Sequence, residues 1–125
     1  MEKRKIIIID DEKLFIKMVK INLESTGNYK VETVSEPANV VSRIKSFDPD
    51  IILLDIVMPK IDGFEVCKTL SKDPAWRRVP IVVLSALDTD EARASMRELG
   101  VVDFLVKPIE THDIISKIEK VLSSK

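Results

Sequence analysis

Five polar residues that can take part in phosphoryl or metal chemistry stand where apolar stretches of this sequence end. They are Asp10, Asp11, Asp55, Ser85 and Lys107. In "DIILLDIVMP", for example, residues 51–54 are aliphatic enough for a strand buried on both faces, and an ionised carboxylate at its end is costly to bury without a partner. These side chains need a shared explanation if the fold brings them together.

The three aspartates predict a bound cation, because ionised carboxylates at one mouth repel each other and raise at least one pKa. Mg²⁺ fits better than Ca²⁺, since few carboxylates are available and water can complete its shell; Mn²⁺ is a possible substitute. Lys107 adds a second positive charge, and the Lys107-Pro108 bond is a candidate cis peptide. With the Ser85 hydroxyl, these groups could accept and hold a phosphoryl group, with Asp55 as the nucleophile.

Each residue also has a simpler interpretation. Asp11 could cap the first helix, and Ser85 could be a turn or cap residue. Asp55 and Lys107 could form a plain ion pair at the strand ends, or Lys107 could be a solvated surface lysine. Their joint occurrence at the ends of neighbouring strands favours a site over separate explanations.

Strand-like and helix-like stretches alternate along the chain. The predicted strands cover residues 6–9, 29–34, 50–55, 81–84 and 102–106. The first predicted helix has its apolar positions at Leu14, Met18 and Ile21, the second opens at residues 35–37, the third covers 63–71, the fourth is closed by Gly100 and the fifth covers 111–122. This alternation predicts an α/β fold, with a parallel sheet and helices on both faces. In such a sheet the site lies beyond the carboxyl ends of the strands.

Length and composition favour one domain in a reducing compartment. A chain of 125 residues needs one core, and a net charge of -1 provides no general field for nucleic acid or an anionic membrane. Cys67 is the single cysteine, and no run approaches the roughly 18 apolar residues of a membrane span. We therefore expect a cytoplasmic protein with no direct nucleic-acid or membrane partner.

Four motifs carry a resemblance to a known family. They read IIIIDDE at residues 6–12, IILLDIVMPKIDGFEV at 51–66, IVVLSA at 81–86 and DFLVKP at 103–108. In this order and spacing, the sequence resembles the receiver domain of two-component response regulators. The resemblance covers about residues 5–122, so residues 1–125 are interpreted as a single receiver domain. It implies a flavodoxin-like, doubly wound fold with a five-stranded parallel sheet in the order 2-1-3-4-5.

The resemblance also implies roles for individual residues. Asp55 would be the phosphoacceptor, and Lys107 would contact the phosphate. Ser85 and Phe104 would be the switch pair. The Mg²⁺ ligands would be Asp10, Asp11, Asp55 and the backbone carbonyl of Val57. Such a domain is not an enzyme for other substrates, since it catalyses only its own phosphotransfer and autodephosphorylation.

The partners implied are a sensor histidine kinase or a histidine phosphotransfer protein. Phosphorylation would change the face formed by the fourth helix, fifth strand and fifth helix, and so control a downstream protein or an effector domain outside this sequence. Arg93 and Arg97, on the outer side of the fourth helix, could join a homodimer through that face. The bulky apolar side chains Val57 and Leu87 should hinder water near the phosphoryl group, so we expect dephosphorylation over many minutes or longer.

Other functional classes can be weighed against this interpretation. Phosphatases with an aspartyl nucleophile place it after the first strand in a D-x-D pattern, whereas this strand ends "IDDEK". A flavin- or nucleotide-binding module would need Gly, Ser or Thr in the turn after the first strand to cradle phosphate. The turn in this sequence reads "DDEK" and has none of these residues. A pure interaction scaffold stays open, and metal binding with and without Asp10→Ala would distinguish it.

Overall fold

Five strands alternate with five helices in this computed structural model, which describes residues 2–36, 38–76, 78–86 and 89–123. The strands are β1 (Arg4–Ile9), β2 (Tyr29–Val34), β3 (Ile51–Asp55), β4 (Ile81–Ser85) and β5 (Asp103–Val106). The helices are α1 (Lys13–Ser25), α2 (Val40–Phe47), α3 (Gly63–Lys72), α4 (Asp90–Glu98) and α5 (Thr111–Ser123). No helix among these residues is long and apolar enough to cross a membrane.

The sheet is parallel throughout and has the predicted order β2-β1-β3-β4-β5. Its register pairs Ile9 with Leu54, Asp55 with Leu84, and Ser85 with Val106. The carboxyl ends of the three central strands and β5 therefore meet at one edge of the sheet.

Both faces of the sheet are covered, because successive strand residues point to opposite sides. One apolar cluster combines alternate residues of the central strands with side chains of α2, α3 and α4, including Ile44, Leu70 and Met96. The other combines the remaining strand residues with α1 and α5, including Leu23 and Ile118. These two layers confirm the predicted doubly wound arrangement and explain why the aliphatic runs contain no polar residue.

The first helix differs from the prediction in the face that it buries. Leu14, Met18 and Ile21 are 84%, 55% and 57% exposed, whereas the buried residues are Ile16, Val19 and Leu23. The sequence of α1 carries two apolar sets at helical spacing, and only one can face the sheet. We call the exposed set, Leu14, Met18 and Ile21, the α1 stripe.

The second helix begins later than predicted. Ser35 and Glu36 do not open it; Pro37 lies outside the described residues, and α2 starts at Val40, after Asn39. Asn39 has a φ of 58°, a left-handed conformation that ordinary helix residues avoid. The helix can therefore start only after this residue.

Candidate functional site

The sheet brings the polar strand-end residues together at its carboxyl edge. Asp10, Asp55 and Ser85 are the buried polar or charged residues of the described chain. The backbone N–H of Lys107 donates to the carbonyl of Ser85 at 2.9 Å, which extends the pairing of β4 and β5 beyond the last strand residue. This bond places the Cα and Cβ of Lys107 at the same edge of the sheet as Asp10 and Asp55.

Lys107 is bound by several carboxylates. Its Nζ lies 2.6 Å from Asp10 Oδ2, 3.1 Å from Asp55 Oδ2 and 3.3 Å from Glu12 Oε2. The lysine side chain is only 12% exposed, so the interpretation as a solvated surface lysine is wrong. The ion pair between Lys107 and Asp55 is present, but it is one part of a larger cluster. The Lys107-Pro108 peptide bond is cis.

The protonation of this cluster reflects burial and charge together. Burial raises the pKa of Asp10 above the ordinary carboxyl value, although hydrogen bonds from Lys107 and from the backbone N–H of Glu12 oppose the shift. Burial alone would lower the pKa of Lys107, but its hydrogen bonds and charge interactions with Asp10 and Asp55 outweigh this and raise it. Lys107 is therefore a charged ammonium ion at neutral pH. Its charge does not fully offset the cost of burying the ionised carboxylate of Asp10, so a further cation at this place would stabilise that carboxylate.

The carboxylates of Asp10, Asp11 and Asp55 each offer an oxygen, and these oxygens lie within 4.8 Å of one another. Three hard oxygen donors beside open solvent suit Mg²⁺, because water can complete its coordination. Asp11 is exposed and does not cap α1, where Glu12 holds the N-cap position. The donor set thus fits the predicted metal.

The loop after β3 is held tightly beside Asp55. The N–H of Val57 donates to Asp55 Oδ1 at 2.8 Å, and Val57 also forms an isolated bridge with Asp62. Asp62 caps α3 by accepting from two backbone N–H groups. A Cβ at Gly63 would lie 2.8 Å from the Cα of Ile56, so only glycine lets α3 begin this close to the strand end.

An open cleft of about 650 Å³ lies above these residues and is lined by Asp11, Asp55, Val57, Ala86 and Lys107. Val57 is about half exposed at its mouth. The other side chain in the slow-dephosphorylation prediction, Leu87, lies outside the described residues. The metal-ligand role of the Val57 carbonyl and the long phosphoryl lifetime therefore stay predictions.

The two predicted switch residues occupy different environments. Ser85 is buried at the end of β4, whereas Phe104 is only partly buried against the α2–α4 side of the core. The guanidinium carbons of Arg93 and Arg97 lie 5.0 Å and 5.7 Å from the centre of the Phe104 ring. Both arginines thus contact the face of the aromatic ring, while Arg97 is exposed and Arg93 is half-buried. The homodimer through this face stays a prediction.

Two neighbours of Lys107 were not predicted from the sequence. Glu12 extends the acidic run after β1, so its position was a usable signal. The ring centre of Phe15 lies 5.0 Å from Lys107 Nζ, and nothing in the local sequence separates this residue from an ordinary core aromatic.

Comparison with known proteins identifies the family that uses this arrangement. The model for the response regulator receiver domain matches residues 6–119. The chain belongs to that family. This receiver domain is 33% identical over 119 residues to the alkaline phosphatase synthesis transcriptional regulatory protein PhoP of Bacillus subtilis. It is also 33% identical over 121 residues to the response regulator PleD of Caulobacter vibrioides.

Solved structures of similar proteins support the same fold. The chemotaxis protein CheY4 of Vibrio cholerae superposes with a TM-score of 0.88 at 25% identity, over 96% of this chain and 99% of that one. A two-component response regulator from Clostridium difficile gives 0.86 at 26% identity, over 97% of both chains. The matches to PhoP and PleD include 95% and 97% of this chain, but only 48% and 26% of the length of those relatives. The chain therefore spans about half of one relative and a quarter of the other.

Proposed function

We propose that this receiver domain is a phosphorylation-dependent switch that accepts a phosphoryl group on Asp55 from a phosphohistidine. The donor would be a sensor histidine kinase or a histidine phosphotransfer protein. The observation that carries the proposal is the position of Asp55, buried at the end of β3 with Lys107 at 3.1 Å and the carboxylates of Asp10 and Asp11 beside it.

The chemistry requires Asp55 to be a positioned, ionised nucleophile. A carboxylate oxygen of Asp55 attacks phosphorus, and the phosphorus–nitrogen bond to the donor imidazole breaks as the new phosphorus–oxygen bond forms. The imidazole leaves with the electron pair of the broken bond, and Asp55 becomes an acyl phosphate. Lys107 stabilises charge on the transferred oxygens, and the hydrogen bond from Val57 N–H holds the carboxylate in place.

Asp10, Asp11 and Asp55 would hold Mg²⁺, together with the carbonyl of Val57. When bound, the ion supplies positive charge that offsets the carboxylates and the incoming phosphoryl oxygens. The three carboxylates alone would repel a phosphoryl donor, so we expect phosphotransfer to require the metal.

The switch would use Ser85 and Phe104. Contact between the Ser85 hydroxyl and the phosphoryl group would draw that side chain inward, and Phe104 would turn into the space released. The ring would then leave Arg93 and Arg97 and alter the α4–β5–α5 face. That face would control a downstream protein, an effector domain or a second copy of the chain. A clean switch needs a large bias, since inverting a 1:99 equilibrium takes about 5.5 kcal/mol.

The α1 stripe would be the surface on which the histidine-bearing helix of the donor docks. It starts at Leu14, two residues after Glu12, whose carboxylate contacts Lys107. Exposed Lys13 and Lys17 flank the stripe and suit an acidic border on the partner. A donor seated there would have its phosphohistidine close to the cleft over Asp55.

We also propose that the chain is one receiver unit that works in the cytoplasm and catalyses only its own phosphotransfer and autodephosphorylation. Burial raises the pKa of the Cys67 thiol to about 12, so this free cysteine stays protonated at neutral pH and suits a reducing compartment.

The decisive experiment is labelling by radioactive acetyl phosphate in Mg²⁺. We expect acid-stable label on the wild type and none on Asp55→Asn, because the amide cannot act as the nucleophile. Asp48→Asn is the matched control, since Asp48 is exposed and its left-handed backbone suits asparagine. Full acid-stable labelling of Asp55→Asn would refute the assignment.

A further inference from the structure

The aromatic ring of Phe15 forms one wall of the Lys107 environment. Phe15 is the third residue of α1, and its partly buried ring packs against the α1–α5 side of the core. The ring centre lies 5.0 Å from Lys107 Nζ, within the distance at which a ring face attracts an ammonium ion. Core packing therefore holds the ring where it meets the charged end of the lysine.

This contact differs in kind from the other contacts of Lys107. Asp10 and Asp55 bind the ammonium at 2.6 Å and 3.1 Å, but both are also candidate metal ligands, and Asp55 is the candidate acceptor. Their oxygens would be shared with a cation and a phosphoryl group during transfer. A ring face has negative potential but no lone pair for a hard cation, so its attraction for Lys107 does not face that competition.

Glu12 holds the ammonium of Lys107 less well than the Phe15 ring does. Its carboxylate lies 3.3 Å from Lys107 Nζ, yet the Glu12 side chain is largely exposed, and an exposed ion pair is weakened by solvent and salt. The Phe15 ring, by contrast, is partly buried and anchored by its own helix. Among the described contacts of Lys107, the ring is therefore the one that is both apolar and supported by the core.

We propose that Phe15 is a positioning residue for Lys107 and keeps the ammonium directed at the phosphoryl oxygens while Asp10 and Asp55 are engaged elsewhere. The inference rests on the proposed phosphotransfer to Asp55. It assigns to Phe15 an electrostatic role through its ring face, in addition to packing.

The test replaces Phe15 with ring-fluorinated phenylalanines, which retain the shape of the side chain but progressively remove the negative potential of the face. We expect the rate of labelling by acetyl phosphate in Mg²⁺ to fall stepwise, by roughly threefold to fivefold for the trifluorinated ring. Phe15→Leu should also be slow, and Phe15→Tyr should retain the wild-type rate. A flat fluorination series would overturn the proposal.

Phe47 offers a matched control for the same chemistry away from the site. Lys5 Nζ lies 5.7 Å from the Phe47 ring centre, on another part of the molecule. Fluorination of Phe47 should leave the labelling rate unchanged. An equal loss of rate from both series would mean a general effect on the fold and would overturn a specific role for Phe15.

A second readout needs neither metal nor phosphate. In the metal-free protein, the NMR signals of the Lys107 Cε protons should carry a ring-current shift that Phe15→Leu removes. Unchanged Lys107 signals in Phe15→Leu would overturn the contact. If the wild type took up no label, the proposed phosphotransfer would fail, and the positioning role with it, while the ring-current shift would still decide the contact.

Discussion

At the scale of single residues, the site is a cluster of charges built around the buried carboxylates of Asp10 and Asp55. Asp10 is buried, and its pKa is raised despite the ammonium of Lys107 beside it. The folded protein thus binds a proton on Asp10 more tightly than the unfolded chain does. The favourable contribution is complete below the ordinary carboxyl pKa and is lost as the pH rises through the raised pKa of the folded state.

This reasoning predicts that Asp10→Asn stabilises the metal-free protein at neutral pH. The amide keeps the shape of the carboxylate but removes the buried charge, so the free energy of unfolding should rise at pH 7 and change much less at acid pH. Urea denaturation from acid to neutral pH would measure the difference. Asp11→Asn, at an exposed position, should change stability by less than about 0.5 kcal/mol. A loss of stability in Asp10→Asn at pH 7 would contradict the argument.

At the scale of elements, α1 has two apolar faces with separate uses. Ile16, Val19 and Leu23 pack against the sheet, and the α1 stripe remains open to solvent. The same helix places Phe15 under Lys107, so one element contributes to the core, the cleft and the proposed docking surface. On the opposite side, Arg93 and Arg97 of α4 contact the ring of Phe104, so the proposed switch residue touches a helix outside the site.

If the α1 stripe is the docking surface, changing it should slow phosphotransfer from a protein donor but not from a small-molecule donor. Leu14→Ser combined with Met18→Ser should slow phosphotransfer from a histidine kinase that labels the wild type by about tenfold or more, because docking loses buried apolar area. Labelling by acetyl phosphate should stay at the wild-type rate, since Asp55 and Lys107 are untouched. Val102→Ser, which alters an exposed apolar residue next to β5, is the control. Equal kinase rates in all three proteins would rule out the stripe as the docking surface.

At the scale of the whole molecule, the sheet order converts distant sequence positions into one site. Asp10, Asp55, Ser85 and Lys107 come from or follow four strands, so any ligand that bridges them also joins β1, β3, β4 and β5. A ligand that binds the folded state and not the unfolded chain must raise the stability of the folded state. The metal proposed here should therefore affect global unfolding as well as phosphotransfer.

Metal removal tests this coupling. With free Mg²⁺ at tenfold its dissociation constant, the stabilisation is about 1.4 kcal/mol, and the thermal midpoint should rise by several degrees and return to its starting value on chelation. Asp11→Asn should lose most of the rise, because it removes a proposed ligand with little effect on the metal-free fold. An identical Mg²⁺ response in that variant would show that the ion acts elsewhere on the protein.

Much of this arrangement could be predicted from the sequence because it depends on local pattern. The aliphatic runs that end at Asp10, Asp55 and Ser85 specify buried parallel strands, and the carboxyl ends of such strands must meet at one edge. The positions of the strand-end side chains follow from that rule. The resemblance to receiver domains implied the strand order, which the sheet confirms.

Only the tertiary structure decided which of several locally equivalent choices the chain makes. Both apolar sets of α1 have helical spacing, and the sheet selects Ile16, Val19 and Leu23 over the α1 stripe. The partial burial of Phe104 under Arg93 and Arg97, and the contact of Phe15 with Lys107, join side chains from separate elements. Covalent geometry sets the periodicity of a helix or strand, but the partners of each face depend on how distant elements pack, which no local pattern records.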